Sequence, residues 1–174
     1  ELDISRTPVR DAFQQLESEG LMVRDGRRGW KVYALSLHDI KEIFEIKLVV
    51  EGLMARQAAG CQDHALREQL RAAIVAMRQA ADTKDTDAWL KADNQLHATL
   101  ATMSGNERAR RIIVNLNDQY YRVRAIFVGM HDRFLTTPEH EQFVQAVLDG
   151  DGEAAERLIR VHLTKLRQTL VNVL

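Results

Sequence analysis

From Ser36 to the C-terminus, helix caps cut the chain into six segments. Each carries apolar residues at three- and four-residue spacing, and no strand-type alternation interrupts them. Ser36 with Asp39 reads as a capping box that opens a long helix ended by Gly60. A second helix is predicted from about Asp63 to Thr83, with Leu66, Leu70, Ile74 and Met77 as its stripe. A third runs from Asp85 to Gly105 and a fourth from Asn106 to about Gly129. Thr137 and Pro138 open a short fifth that ends before Gly150, and Asp151 caps the last. Short connections make successive helices antiparallel neighbours, so residues 36–174 are expected to form an all-α antiparallel bundle.

Residues 1–34 follow a different pattern. Ser5 or Thr7 can cap a helix, Pro8 suits its first turn, and Val9, Ala12, Phe13 and Leu16 form an apolar stripe that should end at Gly20. "LMV" and "WKV" around "RDGRRG" then predict a small β-hairpin with a glycine-bearing turn. Arg24, Arg27, Arg28 and Lys31 crowd that hairpin against the single acid Asp25, while Arg6 and Arg10 stand four apart on the helix, opposite its apolar stripe. Taken alone, these arginines could be ordinary solvated surface. A helix with basic residues at its N-terminal end, followed by a basic hairpin, is however what a winged helix-turn-helix offers to DNA. The helix would enter the major groove and the hairpin would reach the adjacent backbone or minor groove.

Composition narrows the class further. The 174 residues suffice for a real core plus a small appendage, and the single cysteine, Cys61, precludes an internal disulfide framework. A reducing, cytoplasmic setting is the expectation. No apolar run approaches the roughly 18 residues of a membrane span, and no signal-peptide pattern opens the chain. With a net charge of -1, any nucleic-acid contact must come from a local patch. The chain opens at Glu1 rather than at methionine, and is expected to be a fragment.

The string "SRTPVRDAFQQLESEGLMVRDGRRGWKV" resembles the second half of the GntR-family DNA-binding domain, with Trp30 at a variable position after the wing glycine. That resemblance implies a partial winged helix-turn-helix, recognition helix plus wing, whose two preceding helices are missing. It implies that the Ser5-Arg6-Thr7 start of the helix and Arg10 meet DNA, Arg6 and Arg10 at bases or phosphates and Thr7 at phosphate. Gly26 and Arg27 would form the wing tip.

Within the bundle, polar residues stand on stripes that should be buried. Leu90, Asp93, His97, Leu100 and Ala101 share one face of the third helix. His140 precedes Phe143, Val144 and Val147 at the same spacing, and His162 follows Ala155, Leu158 and Ile159. A single inward histidine is ordinarily a hydrogen-bonded core residue. A buried carboxylate, in contrast, costs several kcal/mol unless paired. Three inward histidines and one inward aspartate have a common solution in a divalent metal, and Asp93 and His97 lie one turn apart on one face. The ligand set is compatible with zinc, nickel, manganese or iron, among which geometry rather than ligand type decides, and zinc is the first expectation.

Residues 36–163 resemble the FCD effector domain of the FadR-type branch of the same family, through "FEIKLVVEGLMARQAA", "ADNQLHATLATMSGN" and "EHEQFVQAVLDGDGEAAERLIRVHL". The resemblance implies that Asp93, His97, His140 and His162 hold a metal at the bundle's centre. Such a metal keeps positions open for a small organic acid. Lys47, Glu51, Arg122 and Arg124 are candidates for contacting that acid, although only one of the two arginines can face inward. The family usually has arginine where Lys47 stands, and lysine lacks the bidentate fork. Tyr120 and Tyr121 could be pocket wall or core, Trp89 and Phe127 read as core, and His38, His64 and His131 carry no assigned role.

The chain is therefore expected to be a ligand-responsive, DNA-binding transcriptional regulator rather than an enzyme. It would act as a homodimer on a two-fold symmetric operator, without membrane contact. The alternatives are a metal-dependent hydrolase and a direct metal sensor whose metal is regulatory or structural.

Overall fold

The computed structural model describes residues 5–26, 29–128 and 136–173, with residues 121–128 and 173 described for their backbone only. Its order is α1 (Arg6–Ser18), β1 (Met22–Arg24), β2 (Trp30–Val32), α2 (Leu37–Ala58), α3 (His64–Asp82), α4 (Thr86–Met103), α5 (Glu107–Val128), α6 (Thr137–Asp149) and α7 (Gly152–Val173). The mostly α architecture, a helix and hairpin followed by a helical bundle, is the one expected from the caps and periodicity.

Helix α1 ends in a Schellman turn, with Leu21 N donating to Leu16 O and Gly20 N to Glu17 O. Gly20 supplies the left-handed residue that this turn requires, at φ 75°. The antiparallel hairpin pairs Met22 with Val32 and Arg24 with Trp30, and Asp25 N donates to Gly29 O at 2.8 Å across the turn. Trp30 pins the hairpin to α1. Its ring stacks on Phe13 at 5.5 Å, its Nε1 donates to Glu17 at 2.7 Å, and the Arg24 guanidinium lies 4.7 Å from its centre.

Two expectations for α1 need correction. Ser5 occupies the N-cap position but its side chain makes no capping hydrogen bond, and Thr7 lies inside the first turn. The apolar stripe is only half covered, because the hairpin reaches Phe13 and Leu16 while Val9 and Ala12 stay exposed. No described residue of α1 is buried.

Tyr33 and Ser36 make the join to the bundle. Tyr33 Oη donates to Asp39 Oδ1 at 3.0 Å, and Asp39 and Ser36 complete the capping box of α2. Asp63, Asp85, Asn106 and Asp151 each accept a backbone N–H at the start of α3, α4, α5 and α7. Helix α2 packs along α7 and reaches α4, α5 and α6, so it is the central element, while α3 lies on α4. Phe44, Met54, Leu70, Met77, Leu96, Phe143, Ile159 and Leu163 are among the fully buried side chains that fill the space between them.

The α2–α7 contact is tightest where α7 begins. A Cβ on Gly152 would stand 2.8 Å from the Arg56 carbonyl oxygen, a backbone atom that cannot swing aside. Gly152→Val is therefore expected to cost about 1–3 kcal/mol, the usual range for forced overpacking. Urea denaturation would read this as a lower midpoint at unchanged slope.

Candidate metal centre and ligand cavity

Helix α4 brings Asp93 and His97 to the middle of the bundle, α6 brings His140, and α7 brings His162. One ligand-capable atom from each histidine lies within 4.8 Å of the others. Asp93 Oδ1 stands 3.0 Å from His140 Nε2 and 3.6 Å from His97 Nε2. Asp93, His140 and His162 are buried, and the His97 side chain keeps 19% of its exposure.

The outer nitrogens are held from behind. His140 Nδ1 lies 2.8 Å from the Thr136 carbonyl oxygen, which can only accept, so Nδ1 carries a proton and Nε2 is the nitrogen turned to the centre. His162 Nδ1 lies 2.8 Å from Glu139 Oε2, and Lys165 Nζ donates to the other Glu139 oxygen at 2.7 Å. Glu139 is held down to about 2, chiefly by its bond to His162 and then by Lys165, against the opposing effect of burial. His162 is pushed down to about 4, first by burial and then by the charge of His140, with Glu139 pulling the other way. It is thus a neutral imidazole at neutral pH, with Nε2 left for the centre. His97 Nδ1 faces Glu51 Oε2 at 3.4 Å.

This arrangement suits a cation. His140 Nε2 is buried with no hydrogen bond of good geometry and lies 3.0 Å from Asp93 Oδ1, so two atoms able to ligate a metal converge in a buried place. Ligand atoms about 2.1 Å from a shared ion would be separated by about this distance, and a backing carboxylate or carbonyl on each histidine is the usual support of metal-bound imidazole.

Beside the centre, Lys47 is buried rather than extended to the surface. Its Nζ is 2.5 Å from Glu51 Oε1, and it also donates to Asn117 Oδ1 on α5. Burial pushes the Glu51 carboxyl up, but Lys47 and then His97 outweigh it and hold the group well below the ordinary carboxylate range. Neither Glu51 oxygen accepts a hydrogen bond of good geometry despite the close ammonium, so the pair is held by charge. A cavity of about 590 Å³ opens from these residues along α4 and α5, and Trp89 and Tyr120 also line it. Trp89 is buried as expected, and its Nε1 donates to Thr137 at 2.9 Å.

Arg122 and Arg124 fall on the part of α5 described for backbone only, and Arg27 and His131 lie outside the described residues. Ser5, Arg6, Thr7 and Arg10 are exposed at the start of α1, and Gly26 turns the wing at φ 54°. Glu139, Asn117 and the Thr136 carbonyl escaped the reading of the sequence. For Glu139 a signal existed, since His162 and Lys165 share one face of α7 and call for an anion opposite.

The model of the FCD domain matches residues 42–165, and that of the bacterial regulatory proteins of the gntR family matches residues 1–32. The chain belongs to the GntR family, as an FCD-type regulator. Among relatives of this regulator, the HTH-type transcriptional regulator YdhC of Bacillus subtilis is 26% identical over 98% of the chain and 77% of its own length. The HTH-type transcriptional repressor RspR of Escherichia coli is 27% identical over 97% of the chain and 74% of its own. The solved structure of E. coli McbR/YncC shares the fold, with a TM-score of 0.84 at 15% identity over 99% of this chain and 82% of that one. Family and relatives are regulators rather than enzymes. No helix among the described residues is long and apolar enough to cross a membrane.

Proposed function

We propose that this GntR-family regulator binds a divalent metal through Asp93, His97, His140 and His162, and that a small carboxylate effector entering beside the metal alters operator affinity. The observation that carries the reading is the position of α5 between the two halves of the chain. On one side Asn117 takes the Lys47 ammonium at the cavity wall. On the other, Asn115 Nδ2 and Gln119 Nε2 donate to the Glu19 carbonyl oxygen at the end of α1, at 3.3 and 2.9 Å. A shift of α5 at the cavity therefore reaches the helix that carries Arg6, Thr7 and Arg10.

In this reading residues 1–34 are the DNA-reading head, with Ser5, Gly26 and Arg27 also at the DNA, and residues 36–174 are the sensing bundle. Zinc suits the ligand set best, with nickel, manganese or iron as alternatives. The ion would supply a Lewis-acid anchor for one carboxylate oxygen. Lys47 and Glu51 would shape the charge beside it, together with whichever of Arg122 and Arg124 faces inward. The regulator would work in the cytoplasm as a homodimer on half-sites about one helical turn apart.

The test couples two binding measurements. With zinc and the carboxylate that most raises the melting temperature in a panel, affinity for a duplex selected from a random pool should change about 5–150-fold, equivalent to about 1–3 kcal/mol. In Asn115→Ala/Gln119→Ala protein that ratio should fall close to one while zinc and carboxylate still bind. An unchanged ratio would remove α5 as the link.

A further inference from the structure

Resting on the proposed carboxylate site, we infer that the ligand is an elongated monocarboxylic acid. Its apolar body would lie in the slot between α4 and α5, rather than the ligand being a short diacid or hydroxy acid. Three observations converge on this class.

The first is size. A cavity of about 590 Å³ holds about 20 times the roughly 30 Å³ that one water occupies, far more than a compact acid on a metal would fill. It falls in the range of sites that enclose ligands with a substantial apolar body.

The second is the order of the lining. The inner end is polar, with Lys47, Asn117 and the histidines. Farther along, α4 presents Ala98 and Ala101 to the slot and α5 presents Ile113 and Val114. Asn94, Thr102 and Arg110 also line this stretch, and the small and apolar side chains between them leave a channel between the two helices. Asn117 and Arg110, seven residues apart on one face of α5, set its length at about 10 Å. Val114 is 48% exposed on the slot wall, an apolar surface that an apolar guest would cover.

The third is charge. Among the described residues, both side-chain ammonium and guanidinium groups on the wall already have carboxylate partners. Lys47 is held by Glu51, and Arg110 is forked onto Glu107 at 2.7 and 2.8 Å. Asp118 also lines the wall, so among the described residues a second carboxylate would meet a further acid and no cation that is not already paired.

Isothermal titration of zinc-loaded protein with acetate, butyrate, hexanoate, octanoate and succinate tests the inference. The dissociation constant should fall at least tenfold from butyrate to octanoate as added methylenes leave water, and succinate should bind more weakly than octanoate. Ala98→Phe and Val114→Asp change exposed wall positions and should abolish the gain with chain length while leaving acetate affinity within about twofold. Affinity that is flat or weaker with chain length, or succinate binding tighter than octanoate, would overturn the elongated class. Failure of every acid, acetate included, while zinc binds would instead overturn the carboxylate site itself.

Discussion

His140→Ala protein is expected to lose most of its metal-dependent thermal stability. Wild-type protein at a free zinc concentration about 1,000 times its dissociation constant gains roughly 4 kcal/mol. For a chain of this size that raises the melting temperature by about 8–16 °C over protein in chelator. Removing His140 takes away the proposed ligand whose Nε2 faces Asp93. A loss of affinity of about 100-fold or more would leave roughly 1.4 kcal/mol of that gain at the same zinc concentration. His140 is also buried against Trp89 and Phe143, so the substitution opens a cavity as well. Comparing each protein with and without chelator cancels that term. Glu139→Gln, which keeps shape but weakens the grip on His162 Nδ1, should fall between, with affinity lowered about 10–100-fold. An equal chelator-sensitive shift in wild type and His140→Ala would show that the metal, if bound at all, sits elsewhere.

The second large effect belongs to Lys47. Lys47→Met removes an ammonium 2.5 Å from the Glu51 carboxylate, with both side chains at most 6% exposed, and leaves Glu51 charged in a low-dielectric place. The expected cost is about 3–5 kcal/mol, most of it the penalty of the charge left behind rather than the worth of the pair. Lys47→Met/Glu51→Leu should regain most of that loss, because apolar replacement of a buried pair is often close to neutral. Urea denaturation of chelator-treated protein measures both without a contribution from metal charge. If the single variant lost less than about 1 kcal/mol, or the double variant lost more than the single, the buried-charge account of this pair would be wrong.

What could be read from sequence depended on how local the determining interaction is. Helix starts were legible because Ser36, Asp63, Asp85, Asn106 and Asp151 cap within their own first turns, through contacts three residues apart. The faces carrying Asp93, His97, His140 and His162 were legible for a similar reason, since each sits on a stripe whose period shows which side packs. The support of the site was not. Glu139 acts on His162 from a neighbouring helix, so only the paired cationic face of His162 and Lys165 hinted at it, and Asn117 meets Lys47 only because α2 and α5 cross. The uncovered half of the α1 stripe was also illegible, because periodicity marks a face as apolar without saying what covers it.

The contact between α5 and α1 carries an evolutionary asymmetry. The acceptor at its centre is the main-chain oxygen of residue 19, which takes both amide donors. Substitutions at Glu19 leave that oxygen in place, so the side chain there is free to drift. Control over the joint is concentrated in Asn115, Gln119 and Gly20, the last because its φ of 75° and the Gln119 amide 3.0 Å from its would-be Cβ both disfavour a larger residue. Under the proposed coupling, descendants of this regulator could change the DNA sequence they read through the exposed arginines of α1 while keeping the same response. They could equally loosen the response by a single amide replacement in α5 without altering the reading surface.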